Sequence, residues 1–170
     1  MAQLTFKPAK DIMVINTCGE LPRVGDKALK FDLVDGRLGE VNLATYSGKL
    51  KILNIVPSLD TPVCAASARA FNEKANKFDN AVVLMISADL PFAQGRFCES
   101  EGLKNVIPLS CFRSRFATDY GVLITDSLFA GLTARAVVVI NDKDEVIYTE
   151  LVKEITHEPD YEAVIEAVNG

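Results

Sequence analysis

The sequence predicts an α/β fold, with a central mixed sheet flanked by helices and a small hairpin in front of it. Three observations carry that expectation. Two nearly uninterrupted apolar runs, at 51–57 and 81–87, enclose a segment with helical spacing, as expected of parallel strands buried on both faces. A third run at 136–141 is followed by the charged residues 142–145 and an apolar segment at 146–152, the pattern of an antiparallel hairpin. The chain has 170 residues and is 49% hydrophobic, which suits one domain over 1–170 and is too apolar for disorder.

Taken in order, the first 16 residues hold two alternating apolar segments around Lys7-Pro8-Ala9-Lys10 and read as a hairpin. Residues 21–28, with Pro22 and Gly25, read as loop. Short strands are expected at 31–34 and 41–44, around Asp35-Gly36, and a buried strand at 51–57 ends on Pro57. Residues 62–78 read as a helix because Cys64, Ala68, Phe71, Ala75 and Phe78 recur at spacings of four and three. After the strand at 81–87 come a short helix at 91–100, a brief strand at 106–109 and a helix at 113–120. A loop with Gly121 and Gly131 leads to the second hairpin, and a helix at 159–168 closes the chain. A β-α-β unit leading to a hairpin and a last helix is a thioredoxin-like arrangement, which by itself does not establish a function.

Composition excludes several kinds of chemistry. There are 18 Lys and Arg against 23 Asp and Glu, and no basic cluster, which argues against nucleic-acid binding. No uncharged apolar run approaches the length of a membrane span, and the amino terminus lacks the apolar core of a secretory signal. A reducing cytoplasm is therefore the expected compartment, where lasting structural disulfides are rare. The single His157 rules out three-histidine and HExxH metal sites. Four cysteines, Cys18, Cys64, Cys98 and Cys111, show no CxxC spacing, so neither zinc nor a CxxC redox motif has its usual signal. The thiols are either core fillers or redox groups.

Cys64 carries the sharpest local argument. Thr61 followed by Pro62 is a helix start, Thr capping the free amides and Pro fitting the first helical position. Cys64 then lies in the first turn, where unpaired backbone N–H groups favour a thiolate. It also begins the apolar stripe, so a small core residue is the other reading. Nothing nearby in sequence supplies an activating cation, since Arg69 lies over a turn away on another helical face.

Cys98 falls on the short helix containing Gly95, which weakens it, so this thiol is either incidental on a surface helix or placed where the chain opens easily. Arg135 precedes the run 137–140 and is either an exposed strand end or a guanidinium reaching a site beside the sheet. Cys18 and Cys111 are assigned structural or incidental roles, and His157 reads as an exposed residue near a helix start.

At these residues a family resemblance appears. The pattern Pro57-x₃-Thr61-x₂-Cys64 resembles the active-site signature of peroxiredoxins. The strings 60–67 (DTPVCAAS) and 87–94 (SADLPFAQ), with Arg96-Phe97-Cys98, are similar to the atypical 2-Cys branch of that family. So are 134–140 (ARAVVVI) and the segment 154–161. The resemblance covers nearly the whole chain. It implies a peroxidase acting on hydrogen peroxide and organic hydroperoxides, with a lean toward alkyl and lipid hydroperoxides. Cys64 would be the peroxidatic cysteine, oxidised to a sulfenic acid, and Cys98 the resolving one, closing an intramolecular disulfide. Thr61 and Arg135 would be the polar partners of Cys64, and Pro57 would shield it. The family further implies a homodimer, reduction by thioredoxin and no cofactor. Cys18 and Cys111 are not part of its pattern. Because a disulfide needs Cα atoms within about 7 Å, both cysteine segments are expected to rearrange on oxidation. The competing readings are a disulfide reductase without its CxxC, a non-catalytic binding module, and a cysteine hydrolase dependent on His157.

Overall fold

The computed structural model describes residues 1–8 and 11–170. Strands β1 (Gln3–Phe6) and β2 (Met13–Asn16) form the antiparallel amino-terminal hairpin, with Leu4 opposite Ile15. Part of the expected turn, Ala9 and Lys10, lies outside the described residues. Leu4 and Ile15 are both buried, so one face of the hairpin packs onto the core and the other faces solvent. Backbone bonds from Thr5 N–H to the Lys153 carbonyl and from Ile155 N–H to the Thr5 carbonyl stitch it to the late part of the chain.

The main sheet has seven strands: β3 (Leu33–Val34), β4 (Glu40–Val41), β5 (Leu50–Ile55), β6 (Ala81–Ser87), β7 (Ile107–Ser110), β8 (Ala136–Ile140) and β9 (Val146–Leu151). Their order is β4-β3-β7-β6-β5-β8-β9. Strands β5, β6 and β7 are parallel, and β8 runs antiparallel between β5 and β9. The helices are α1 (Pro62–Lys74), α2 (Pro91–Glu101), α3 (Phe116–Asp119) and α4 (Tyr161–Asn169).

Alternation along the strands divides the core in two. Leu53, Ile55, Leu84, Ile86 and Val138 point to the face covered by the hairpin and α3. Ile52, Val83, Met85, Val137 and Val139 point to the face covered by α1, α2 and α4. The parallel connections from β5 to β6 and from β6 to β7 carry α1 and α2, and both pack on that second face. Burial from both sides is the reason the runs at 51–57 and 81–87 show no polar alternation.

The helix expected at 62–78 ends at Lys74 and passes into a 3-10 turn at Ala75–Lys77, the strand expected at 31–34 is only Leu33–Val34, and two further elements change character. The segment 41–44 is not a strand throughout, because Leu43–Tyr46 turns into a 3-10 helix whose start is closed by the Asn42 N–H donating to Thr45 Oγ1 at 3.1 Å. The helix expected at 113–120 shrinks to α3, since Ser114 N–H closes a turn onto the Cys111 carbonyl and Ser114 Oγ takes the Phe116 N–H. Just past α3, Gly121 has φ of 70° and a Cβ there would collide with the Glu20 backbone, so only glycine fits. Among the described residues, no helix is long and apolar enough to cross a membrane.

Candidate active site

The end of β5 is held before the functional loop begins. Val56 donates to the Ile86 carbonyl and accepts from the Thr133 hydroxyl at 2.7 Å, and Pro57 behind it is buried. The loop then leans on Asp89, whose carboxylate accepts from Ser58 Oγ at 2.7 Å and from Leu59 N–H at 2.8 Å. Thr61 ends the loop. Its hydroxyl donates to the Ser58 carbonyl at 3.2 Å and accepts from the Cys64 N–H at 3.3 Å, capping α1, while Pro62 takes the first helical position.

Cys64 is fully buried in this first turn. Arg135, 71 positions away in the chain, reaches it with Nη2 at 3.2 Å from Sγ. Of the two readings open for Arg135, the side chain adopts the buried one: it is 2% exposed, and its Nε donates to the Ile155 carbonyl at 3.0 Å. Its Nη1 has no hydrogen-bond partner among the described residues. A buried cation that lacks a full set of partners is costly unless an anion compensates it, and a Cys64 thiolate is the group placed to do so. Antiparallel pairing of β8 with β5 sets Ala136 opposite Ile55, which brings Arg135 to the mouth of the strand that feeds α1.

Beneath the same turn lies a polar chain that sequence reasoning missed. Asn54 Nδ2 donates to Ser67 Oγ at 3.2 Å, and Ser67 Oγ donates to the Cys64 carbonyl at 3.1 Å. The only sequence signal was a polar residue inside an apolar strand. Asp89 was also missed, although it precedes a Leu-Pro helix start.

Cys98 is not brought to Cys64; all four cysteines are free thiols. It lies half-buried on α2 against the core beneath α1, and burial pushes its thiol up from the ordinary value. The start of α2 is tied to the sheet. Gln94 Nε2 donates to Ser87 Oγ at 2.9 Å and to the Leu109 carbonyl at 3.0 Å, and Ser87 Oγ donates to Asp89 at 2.7 Å. Cys18 is exposed, while Cys111 is buried and pushed up to about 11 by that burial. His157 is exposed and pairs with Glu154 at 3.5 Å. With Pro62, Val63 and Ala66 it lines a cleft of about 350 Å³ beside the first turn of α1. Among the described residues, no three His, Cys, Asp or Glu side chains group so as to hold a metal ion.

Comparison with known proteins meets this geometry. The redoxin family model matches residues 23–165. A thiol peroxidase of Corynebacterium glutamicum is 52% identical over 153 residues, covering 90% of this chain and 93% of that protein. A thiol peroxidase of Mycobacterium bovis is 52% identical over the full length of both. The chain belongs to the redoxin family, in its thiol peroxidase group. A crystal structure of a peroxiredoxin-like protein from Aquifex aeolicus superposes with a TM-score of 0.89 at 37% identity, covering 99% of this chain and 96% of that one. The expected thioredoxin-like fold with its amino-terminal hairpin is thereby shown, and the chain is a peroxidase of the peroxiredoxin kind.

Proposed function

We propose that the enzyme reduces hydrogen peroxide and organic hydroperoxides at Cys64, resolves the product with Cys98, and is returned to the dithiol by thioredoxin. The observation that carries this reading is the Arg135 guanidinium, with Nη2 on the Cys64 sulfur and Nη1 free among the described residues. One nitrogen holds the thiolate, and the other is aimed where charge grows on a peroxide oxygen.

The Cys64 thiolate attacks the distal oxygen, the O–O bond breaks, and water or an alcohol leaves with the proton the thiol gave up. Cys64 keeps the other oxygen as a sulfenic acid. Thr61 Oγ1 already accepts the Cys64 N–H and has a second lone pair for the O–H of the peroxide. Buried Pro57 keeps bulk water from the sulfur. Cys98 then attacks the sulfenic sulfur, an S–S bond replaces S–O, and water carries off the thiol proton. A dithiol of thioredoxin reopens that bond by exchange. The mainly apolar walls of the cleft at Pro62, Val63 and Ala66 suit an alkyl tail. The whole chain acts as one domain, as a homodimer, in a reducing cytoplasm.

Peroxide consumption coupled to thioredoxin, its reductase and NADPH tests this. Cys64→Ser abolishes consumption, and Cys98→Ser allows one turnover and stops. Unchanged consumption by Cys64→Ser removes the reading.

A further inference from the structure

Arg135 is the cation on the Cys64 sulfur, and the groups that aim it lie far from Cys64 in the chain. Its carbonyl accepts from the Val152 N–H at 3.0 Å, which fixes its backbone at the mouth of β8. Besides the sulfur, its side chain has one protein acceptor among the described residues, the Ile155 carbonyl, 3.0 Å from Nε. A guanidinium is a planar fork on a flexible stem, so a fixed acceptor at Nε sets where the other two nitrogens point. The aim of Nη1 and Nη2 thus depends on where the backbone holds residue 155.

That stretch of backbone has left the main sheet. Strand β9 ends at Leu151, and Glu154 makes its bridge to Thr5 of the amino-terminal hairpin, in the parallel sense. The Thr5 N–H donates to the Lys153 carbonyl at 2.6 Å, and the Ile155 N–H donates to the Thr5 carbonyl at 2.9 Å. Thr5 Oγ1 donates to the same Lys153 carbonyl at 3.1 Å. An antiparallel ladder leaves the backbone groups of alternate residues facing outward, and here Thr5, opposite Val14, turns its own toward 153–155. Buried Leu4 and Ile15 anchor the hairpin in the same core cluster that holds Ile155. One path of contacts therefore runs from the hairpin through Thr5, Ile155 and Arg135 to Cys64.

We propose that Thr5 is a positioning residue for the peroxidase reaction, and that its hairpin is the element that aims the Arg135 guanidinium at Cys64. It acts through the Ile155 carbonyl. The proposal rests on the reading in which Cys64 is oxidised while Arg135 holds the developing charge. Releasing Thr5 leaves the Lys153 carbonyl and the Ile155 N–H without these partners, and the Ile155 carbonyl shifts with them. A misplacement of about 1 Å far from the chemistry is enough to cost a large factor in rate.

The test is a double-mutant cycle on the second-order rate of Cys64 oxidation by hydrogen peroxide, read by rapid mixing, acid quench, thiol trapping and mass. Thr5→Pro removes the N–H that holds Lys153 and lowers the rate about tenfold. Thr5→Val keeps both backbone bonds, loses only the hydroxyl's, and stays within about twofold of native. In Arg135→Ala the same Thr5→Pro change costs no further rate, because the group it aims is gone. Leu4→Ala loosens the hairpin from its buried side, slows the native enzyme about twofold to threefold and leaves Arg135→Ala unchanged, and it carries the test if Thr5→Pro does not fold. A native rate in Thr5→Pro overturns the proposal. So does an equal loss in the native and Arg135→Ala backgrounds, which marks a merely structural role. An Arg135→Ala rate equal to native instead overturns the reading of the site on which the proposal rests.

Discussion

The two cysteine segments sit on adjacent helices of one face, yet they are built on opposite principles. Around Cys64 the backbone and the sulfur are held by named side chains: Thr61 caps the turn, Ser67, itself bonded by Asn54, holds its carbonyl, Asp89 holds the loop, and Arg135 meets the sulfur. The half of α2 that carries Cys98 follows a glycine and has exposed flanks and an ion pair at its end. On the proposed mechanism, a nucleophile that meets peroxide in one geometry gains from preorganisation, whereas a resolving thiol gains from low local stability. The difference teaches that, on the proposed mechanism, one reaction cycle joins a tightly held segment and a loosely held one, with Asp89 bonded to the loop before α1 and standing just ahead of α2.

The largest break in that comparison comes from the rigid side. Arg135→Ala lowers the second-order rate of Cys64 oxidation by about 10²–10³, the size of losing a preorganised charge-stabilising donor. Rapid-quench kinetics checks it, and a loss under threefold would falsify the role given to Arg135. Next comes Thr61→Val, which removes the cap and the acceptor together. It lowers the same rate by about tenfold or more and unfolding stability by about 1 kcal/mol, whereas Thr61→Ser keeps most of both, as urea titration and kinetics will show.

On the labile side, Cys98→Ser leaves the first oxidation intact and shifts the product to sulfinic acid, read directly as a mass gain on Cys64. His157→Ala changes turnover little. His157 lies at the rim of the cleft and pairs only with Glu154 among the described residues, so a large loss would revive the hydrolase reading.

The smallest effect concerns Cys111. Its thiol is pushed up to about 11 by burial, from an ordinary value of 9.0. The folded state thus keeps a proton that the unfolded chain releases, so this contribution to stability is whole below pH 9 and lost as pH rises toward 11. Urea midpoints between pH 8 and 10.5 should fall more in the native protein than in Cys111→Ala. Iodoacetamide at pH 8 should reach exposed Cys18 well before Cys111.

Much of this was legible in residues close together in the chain. The periodicities at 51–57, 62–78 and 81–87 foretold β5, α1 and β6, and Thr61-Pro62 foretold the start of α1, because caps and apolar stripes act within a few residues. Reading failed where a local pattern was overruled by a turn, as at Thr45 and Ser114, whose side-chain hydroxyls accept from the nearby backbone N–H groups of Asn42 and Phe116. The family resemblance gave roles to Cys64, Thr61 and Arg135; its quoted strings run through Ser67 and Asp89 without giving them one, and Asn54 lies outside them.

By itself, then, the sequence determined most of the strands and helices and where Cys64 stands on its helix. Only the tertiary structure decided that Arg135 is buried against Cys64 instead of lying exposed, and that Cys98 lies half-buried on α2. The physical reason is range. Propensity and capping are free energies of neighbouring residues, whereas the meeting of positions 64 and 135 depends on strand order, register and the packing of both faces of one sheet.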